Sequence, residues 1–201
     1  ARTVAEASGP DLAHVLQLII REINPDNLAL LGNSMGGQVI VDAFGYLYEQ
    51  EDLADPEVEL HSVILTAPDI DRADFDAQFR DEIRALSRNL IVYVSSNDRA
   101  LLVSRLINRG ARVGESSLSP DMMDETEMIA DMIRSDSDIV TLIDVTPINR
   151  TRNFHNFSLE TPEFFDDLFL RLTSAESPTN RRIYAIRTPE GETYWVLTRG
   201  R

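Results

Sequence analysis

The chain has 201 residues, 43% hydrophobic and 26% charged, the balance of a single globular domain with a substantial core. A net charge of −15 sets it against nucleic acid and against an anionic membrane surface, and no apolar run approaches the ~20 residues that a bilayer span needs. All nineteen basic residues are arginine, and the absence of cysteine excludes disulfides, thiolate metal sites and a cysteine nucleophile.

Residues Gly9 to Ile23 read as a helix, with Leu12, Val15, Leu16, Ile19, Ile20 and Ile23 at helical spacing. Asn24-Pro25-Asp26-Asn27 breaks it and launches a first apolar strand, Leu28 to Leu31. The strand runs into Gly32-Asn33-Ser34-Met35-Gly36-Gly37 and then into a helix reaching about Glu49. An acidic connector, Glu51 to Glu59, separates this from a second buried strand, Ser62 to Ala67, which Pro68 stops. Asp74 to Arg88 reads as a helix and Leu90 to Ser95 as the third strand. A helix around Leu101 to Asn108 and a long excursion, Gly110 to Ser137, follow; the excursion contains a helix near Glu125 to Arg134. Ile139 to Val145 is the fourth strand, and Thr161 to Leu172 the next helix. Arg182 to Thr188 and Thr193 to Arg199 flank Pro189-Glu190-Gly191-Glu192 as a β-hairpin. Strands alternating with helices, with near-continuous apolar strands, predict an α/β fold: a mostly parallel sheet with helices on both faces. The expected division is a main domain over 1–175, which includes the excursion 110–137, and a hairpin extension over 176–201.

The strand, the G-x-S-x-G turn and the helix fall in register, which is the context of a nucleophile elbow. Ser34 is therefore the candidate nucleophile. The tight turn is expected to demand glycine at Gly32 and Gly36, two residues either side, where side chains would collide.

A serine needs a base. Reactive groups gather at the carboxyl ends of parallel strands. His61 sits at the amino end of its strand, and His14 lies on the helix before the elbow. His155 follows the fourth strand, where a loop can return it to the carboxyl edge, so His155 is the expected base. The acid that orients it is Asp98, after the third strand, with Asp69 after the second as the alternative. Asp98 would also serve as an N-cap ahead of Leu101-Leu102. The order Ser34, Asp98, His155 is that of alpha/beta hydrolases. One oxyanion donor would be the Met35 backbone N–H; the other comes from an early strand absent from this sequence.

Residues 1 to about 160 resemble the C-terminal half of a bacterial alpha/beta hydrolase family catalogued as a domain of unknown function. Three segments carry the likeness: Leu31 to Gly36, Val63 to Asp71, and Val92 to Leu101, the last continued by Ser104-Arg105 and Arg112-Val113-Gly114. Ile143-Asp144-Val145 and the later His155 also fit. The resemblance implies an esterase- or lipase-like serine hydrolase with a triad of Ser34, Asp98 and His155, and it supplies no substrate. Position 33 is asparagine where the family often has histidine, the family's amino-terminal half is missing, and the C-terminal hairpin lies outside the likeness.

The expected activity is cleavage of a small-molecule carboxylic ester through an acyl-enzyme, without cofactor or metal. A non-catalytic binding protein and an acyltransferase are the alternatives. The cluster Asp69, Asp71, Asp74 and Asp76 lacks the glycine and distal glutamate of a calcium loop. Met122, Met123, Met128 and Met132 read as the packing face of an amphipathic helix, with a lid over an acyl cleft as the second reading. An unpaired apolar edge along Leu28 to Leu31 leads to the expectation that a missing amino-terminal segment, or a partner chain, lies beside it.

Overall fold

The computed structural model describes residues 2–49, 60–68, 80–95, 138–151, 156–173, 182–187 and 193–199. The strands β1 (Ala29–Asn33), β2 (Ser62–Thr66), β3 (Leu90–Val94), β4 (Val140–Asp144), β5 (Ile183–Arg187) and β6 (Thr193–Leu197) order as β1-β2-β3-β4-β6-β5 in a mostly parallel six-stranded sheet accompanied by helices, the fold class that the alternating pattern leads one to expect. The chain divides into two compact units, Ala1–Ile91 and Val92–Arg201, and β3 begins in the first and ends in the second.

In the first unit, helix α1 (Arg2–Ile23) leads to β1 (Ala29–Asn33), α2 (Gly36–Glu49), β2 (Ser62–Thr66) and α3 (Arg80–Leu86), followed by the start of β3 (Leu90–Val94). Helix α1 begins seven residues before the expected Gly9, with Pro10 inside it. A proline removes one intrahelical bond, which the helix-favouring run Ala5-Glu6-Ala7 ahead of it offsets. The helix ends at Asn24, whose φ of 46° is the left-handed C-cap conformation; its N–H donates to the Ile20 carbonyl at 3.0 Å. Gly9 allows close approach of α1 to α2: a Cβ there would sit 2.6 Å from the Asp42 Cβ. Ala13, Leu16, Ile40, Ala43, Phe44 and Leu47 fill the helical part of this core.

β1 and β2 pair in parallel, from Ala29 opposite Ser62 to Asn33 opposite Thr66. Every residue of β2 is buried, as befits a strand covered on both faces. β1 is the last described strand on its side of the sheet, and Leu31 is 44% exposed. Of the helix expected over 74–88, residues 80–88 are described, and α3 ends at Leu86, where Ser87 bridges to Leu60.

In the second unit, β3 runs on to β4 (Val140–Asp144), α4 (Phe157–Glu160), α5 (Pro162–Thr173), β5 (Ile183–Arg187) and β6 (Thr193–Leu197). β5 and β6 pair antiparallel, as the hairpin reading expects. β6 also lies parallel to β4, with Ile143 opposite Trp195, so the hairpin extends the sheet. The core here is aromatic. Tyr93 and Phe157 each meet Phe164 edge-on, with ring centroids 5.0 and 5.8 Å apart. The Tyr93 hydroxyl donates to Asp167 Oδ2 at 2.6 Å, and Arg171 Nε donates to the same oxygen at 2.7 Å. This buried tyrosine–aspartate–arginine chain fixes α5 to β3, and burial pushes the Tyr93 phenol far above its ordinary value. The expected helices over 101–108 and 125–134, the rest of the excursion, the methionine cluster and the acidic cluster at 69–76 lie outside the described residues. No helix among the described residues is long and apolar enough to cross a membrane.

Candidate functional site

The elbow begins where β1 ends. Ser34 follows Asn33 with φ at 52°, a left-handed conformation that a side-chain-bearing residue adopts at a cost of roughly 1–2 kcal/mol. Three bonds hold it there. The Ser34 N–H donates to the Thr66 carbonyl at 3.0 Å, continuing the ladder one residue past β1. The Gly37 N–H donates to the Ser34 carbonyl at 2.9 Å and closes the turn. The Thr66 hydroxyl donates to Asn33 Oδ1 at 2.8 Å, clamping the two strand ends together just ahead of the serine. Asn33 thus has a structural task in the elbow. Thr66 is a member of the site that the sequence reading passed over, signalled only by its place at the end of the second buried strand.

The two flanking glycines differ. A Cβ at Gly32 would lie 2.6 Å from Ile40 Cδ1 and 2.8 Å from the Gly36 carbonyl oxygen, so the turn excludes any side chain there. A Cβ at Gly36 meets no described atom within 4 Å, and its φ is not left-handed. The expected collision is therefore present at Gly32 and absent at Gly36. Gly36 opens α2.

Met35 sits between the serine and α2. Its N–H donates to no acceptor among the described residues, while its carbonyl accepts from Val39 at 3.3 Å. The first turn of α2 carries no acidic side chain, so its positive end faces the turn uncompensated. The Ser34 side chain is half-buried and makes no hydrogen bond among the described residues. A strained hydroxyl can attack a carbonyl carbon, and an amide N–H at a helix amino end with no acceptor among the described residues can donate to the oxyanion that results. A second strained residue, Ala67 at φ 42°, stands buried at the carboxyl end of β2, just past the clamp.

Of the three histidines, two are described. The His61 N–H donates to the Leu28 carbonyl at 2.9 Å, which puts it at the amino edge of the sheet. Leu28 is six residues before Ser34, or roughly 20 Å along an extended strand, too far for proton transfer. The His61 ring lies 2.9 Å from the Ser62 hydroxyl. His14 is exposed on α1. His155, Asp98 and the alternative Asp69 lie outside the described residues.

The roots of the segments that carry Asp98 and His155 are described, both in the second unit. Ser95 follows β3 and is buried; Asn149 lies in the turn after β4 and is buried too. Asn149 Nδ2 donates to the Ser95 hydroxyl. Asp144 closes β4; burial pushes its carboxyl up, against hydrogen bonds from the Thr146 hydroxyl and N–H. A cavity of about 310 Å³ beside α5 and the hairpin is lined by Glu163, Asp166, Asp167 and Arg182 with Phe169, Leu170 and Leu197, and none of these is a serine, threonine or histidine. No group of side chains among the described residues is arranged to hold a metal ion.

Residues 1–169 match a family described as an alpha/beta hydrolase of unknown function (DUF900). Among curated proteins and solved structures, none matches.

Proposed function

The chain belongs to this alpha/beta hydrolase family, and on that footing we propose that it is a serine hydrolase that cleaves small-molecule carboxylic esters through an acyl-enzyme. The observation that carries this reading is the left-handed Ser34 between β1 and α2, beside a Met35 N–H that donates to no acceptor among the described residues.

In this reading His155 accepts the Ser34 Oγ proton as Oγ bonds to the ester carbonyl carbon. The carbonyl electron pair moves onto oxygen, and the Met35 N–H stabilises it. The intermediate collapses, the carbon–alkoxy bond breaks, and the leaving oxygen takes the proton from His155. Water then repeats the attack on the acyl-enzyme, with His155 taking its proton and returning it to Ser34 as the acid departs. Asp98 orients the imidazole and stabilises its charged form. His155 is the base of this scheme because His61 stands at the far end of β2. The second oxyanion donor is assigned to a strand and loop beside the outer edge of β1, which has no neighbour among the described strands.

The test is a fluorophosphonate probe and a short-chain aryl ester on the protein and on Ser34→Ala. The protein labels at Ser34 and turns over the ester; the variant folds, does not label, and loses turnover by at least about a thousandfold. Undiminished hydrolysis by Ser34→Ala overturns the mechanism.

A further inference from the structure

Thr66 is the last residue of β2 and is wholly buried. It holds the elbow in two ways. Its backbone carbonyl accepts from the Ser34 N–H at 3.0 Å, and its hydroxyl donates to Asn33 Oδ1 at 2.8 Å. One residue of β2 thus grips both the nucleophile's own amide and the side chain of the residue before it.

The sequence that follows stops the backbone from holding the serine any further along. In a parallel ladder, every second residue of a strand faces the same neighbour. With Asn33 opposite Thr66, the next donor from this side would be the N–H of residue 68, directed at the Ser34 carbonyl. Residue 68 is proline and has no N–H. Ala67, between them, turns left-handed at φ 42°, although the residue before a proline is ordinarily extended. The Ser34 carbonyl accepts from the Gly37 N–H instead, at 2.9 Å, and that bond closes the elbow. The stop at Ala67-Pro68 therefore frees the carbonyl that the turn needs and leaves Thr66 as the residue through which β2 holds the serine. A left-handed serine keeps its conformation only while its surroundings fix it. Any substitution at position 66 keeps the carbonyl; the hydroxyl is the part that depends on threonine.

We propose that Thr66 is a positioning residue for the nucleophile: its hydroxyl fixes Asn33 against the end of β2 and so holds the Ser34 backbone in the left-handed turn that presents Oγ. This rests on Ser34 being the nucleophile, as the proposed function assigns it. Misplacement of a reacting group by about 1 Å lowers rate on the order of a hundredfold. Loss of the hydroxyl therefore acts on the reactivity of Ser34. Valine at this position keeps the branched shape and has no donor, whereas serine keeps the donor and loses a methyl group.

The experiment measures the second-order rate of fluorophosphonate labelling at Ser34, kcat and KM for a short-chain aryl ester, and thermal melts, on the full chain and on Thr66→Val, Thr66→Ser and Asn33→Ala. Thr66→Val labels about 10- to 100-fold more slowly and loses kcat to the same extent, with KM within about twofold. Thr66→Ser labels within about threefold of the unaltered protein, because it keeps the donor. Asn33→Ala removes the acceptor of the same bond; it slows labelling as Thr66→Val does and keeps the test intact if Thr66→Val fails to fold. A folded Thr66→Val or Asn33→Ala that labels at the unaltered rate overturns the proposal even if its melting point falls, since a bond that served stability alone would leave Ser34 as reactive as before. Thr66→Ser slowed as much as Thr66→Val overturns it as well, because the hydroxyl would then not be the cause. If the unaltered protein does not label at Ser34, the hydrolase reading has failed and this proposal falls with it.

Discussion

Replacing Gly32 and Gly36 separately by alanine tests the elbow most directly, because the two substitutions are chemically the same and the structure assigns them opposite outcomes. At Gly32 the new methyl would stand 2.6 Å from Ile40 Cδ1, 2.8 Å from the Gly36 oxygen and 2.9 Å from the Gly36 carbonyl carbon. Carbon contacts settle at about 3.5–4.0 Å, so the overlap is close to 1 Å. Ile40 is buried in the core and has little room to rotate away. The Gly36 carbonyl can yield only by moving the start of α2 and, with it, the Met35 N–H. Overpacking of this kind costs about 1–3 kcal/mol, and the backbone contacts put Gly32→Ala at the upper end. The displaced turn should also slow Ser34 labelling by a fluorophosphonate on the order of a hundredfold. Gly36→Ala meets no described atom, keeps a φ that alanine accepts and restricts the unfolded chain, so it should raise stability by about 0.4–1 kcal/mol. Thermal or urea unfolding measures the first quantity and labelling kinetics the second. A Gly32→Ala protein that melts and labels like the unaltered one refutes the reasoning, as does a Gly36→Ala protein destabilised to the same extent.

Two stability predictions follow from buried polar groups. Glu82 on α3 is 2% exposed, its Oε2 has no partner among the described residues, and burial, with Glu49 and Asp81 nearby, pushes its carboxyl from 4.5 up to about 7. Between those values the folded chain binds the proton more tightly than the unfolded chain, so stability falls as pH rises through this window, by at most about 3 kcal/mol. Glu82→Gln should therefore unfold at higher denaturant than the unaltered protein at pH 8 and at the same concentration near pH 4; a difference independent of pH sinks the argument. Tyr93→Phe strips one donor from buried Asp167, whose Oδ1 already lacks a partner among the described residues, and should cost about 1–3 kcal/mol in urea unfolding. An unchanged midpoint would mean that Arg171 alone satisfies that carboxylate.

Much of this protein was legible in one dimension because its signals are local. An apolar strand, a tight turn and an amphipathic helix occupy consecutive residues, and backbone sterics act over that same range; Ser34, Gly32 and the Met35 amide stand where the pattern puts them. The parallel sheet followed from the near-continuous apolar runs at 62–66 and 90–94, both wholly buried. Local rules also misled. The apolar spacing marks a helix only from Gly9, but helix α1 begins at Arg2, because packing against α2 rather than periodicity alone sustains a helix. Gly36 reads as a steric necessity, yet what a side chain would strike depends on atoms folded around it, and no described atom stands within 4 Å.

The sequence by itself determined the order of the described strands and the strand–serine–helix turn, both properties of neighbours along the backbone. Tertiary structure alone decided that the hairpin would lie along β4, that Thr66 would clamp Asn33 across 33 residues, and that Asn149 would reach Ser95 across 54. Such contacts have no period and no motif. They arise when strands distant in sequence are brought about 5 Å apart, where a buried polar group must find a partner among whatever side chains the register places opposite it.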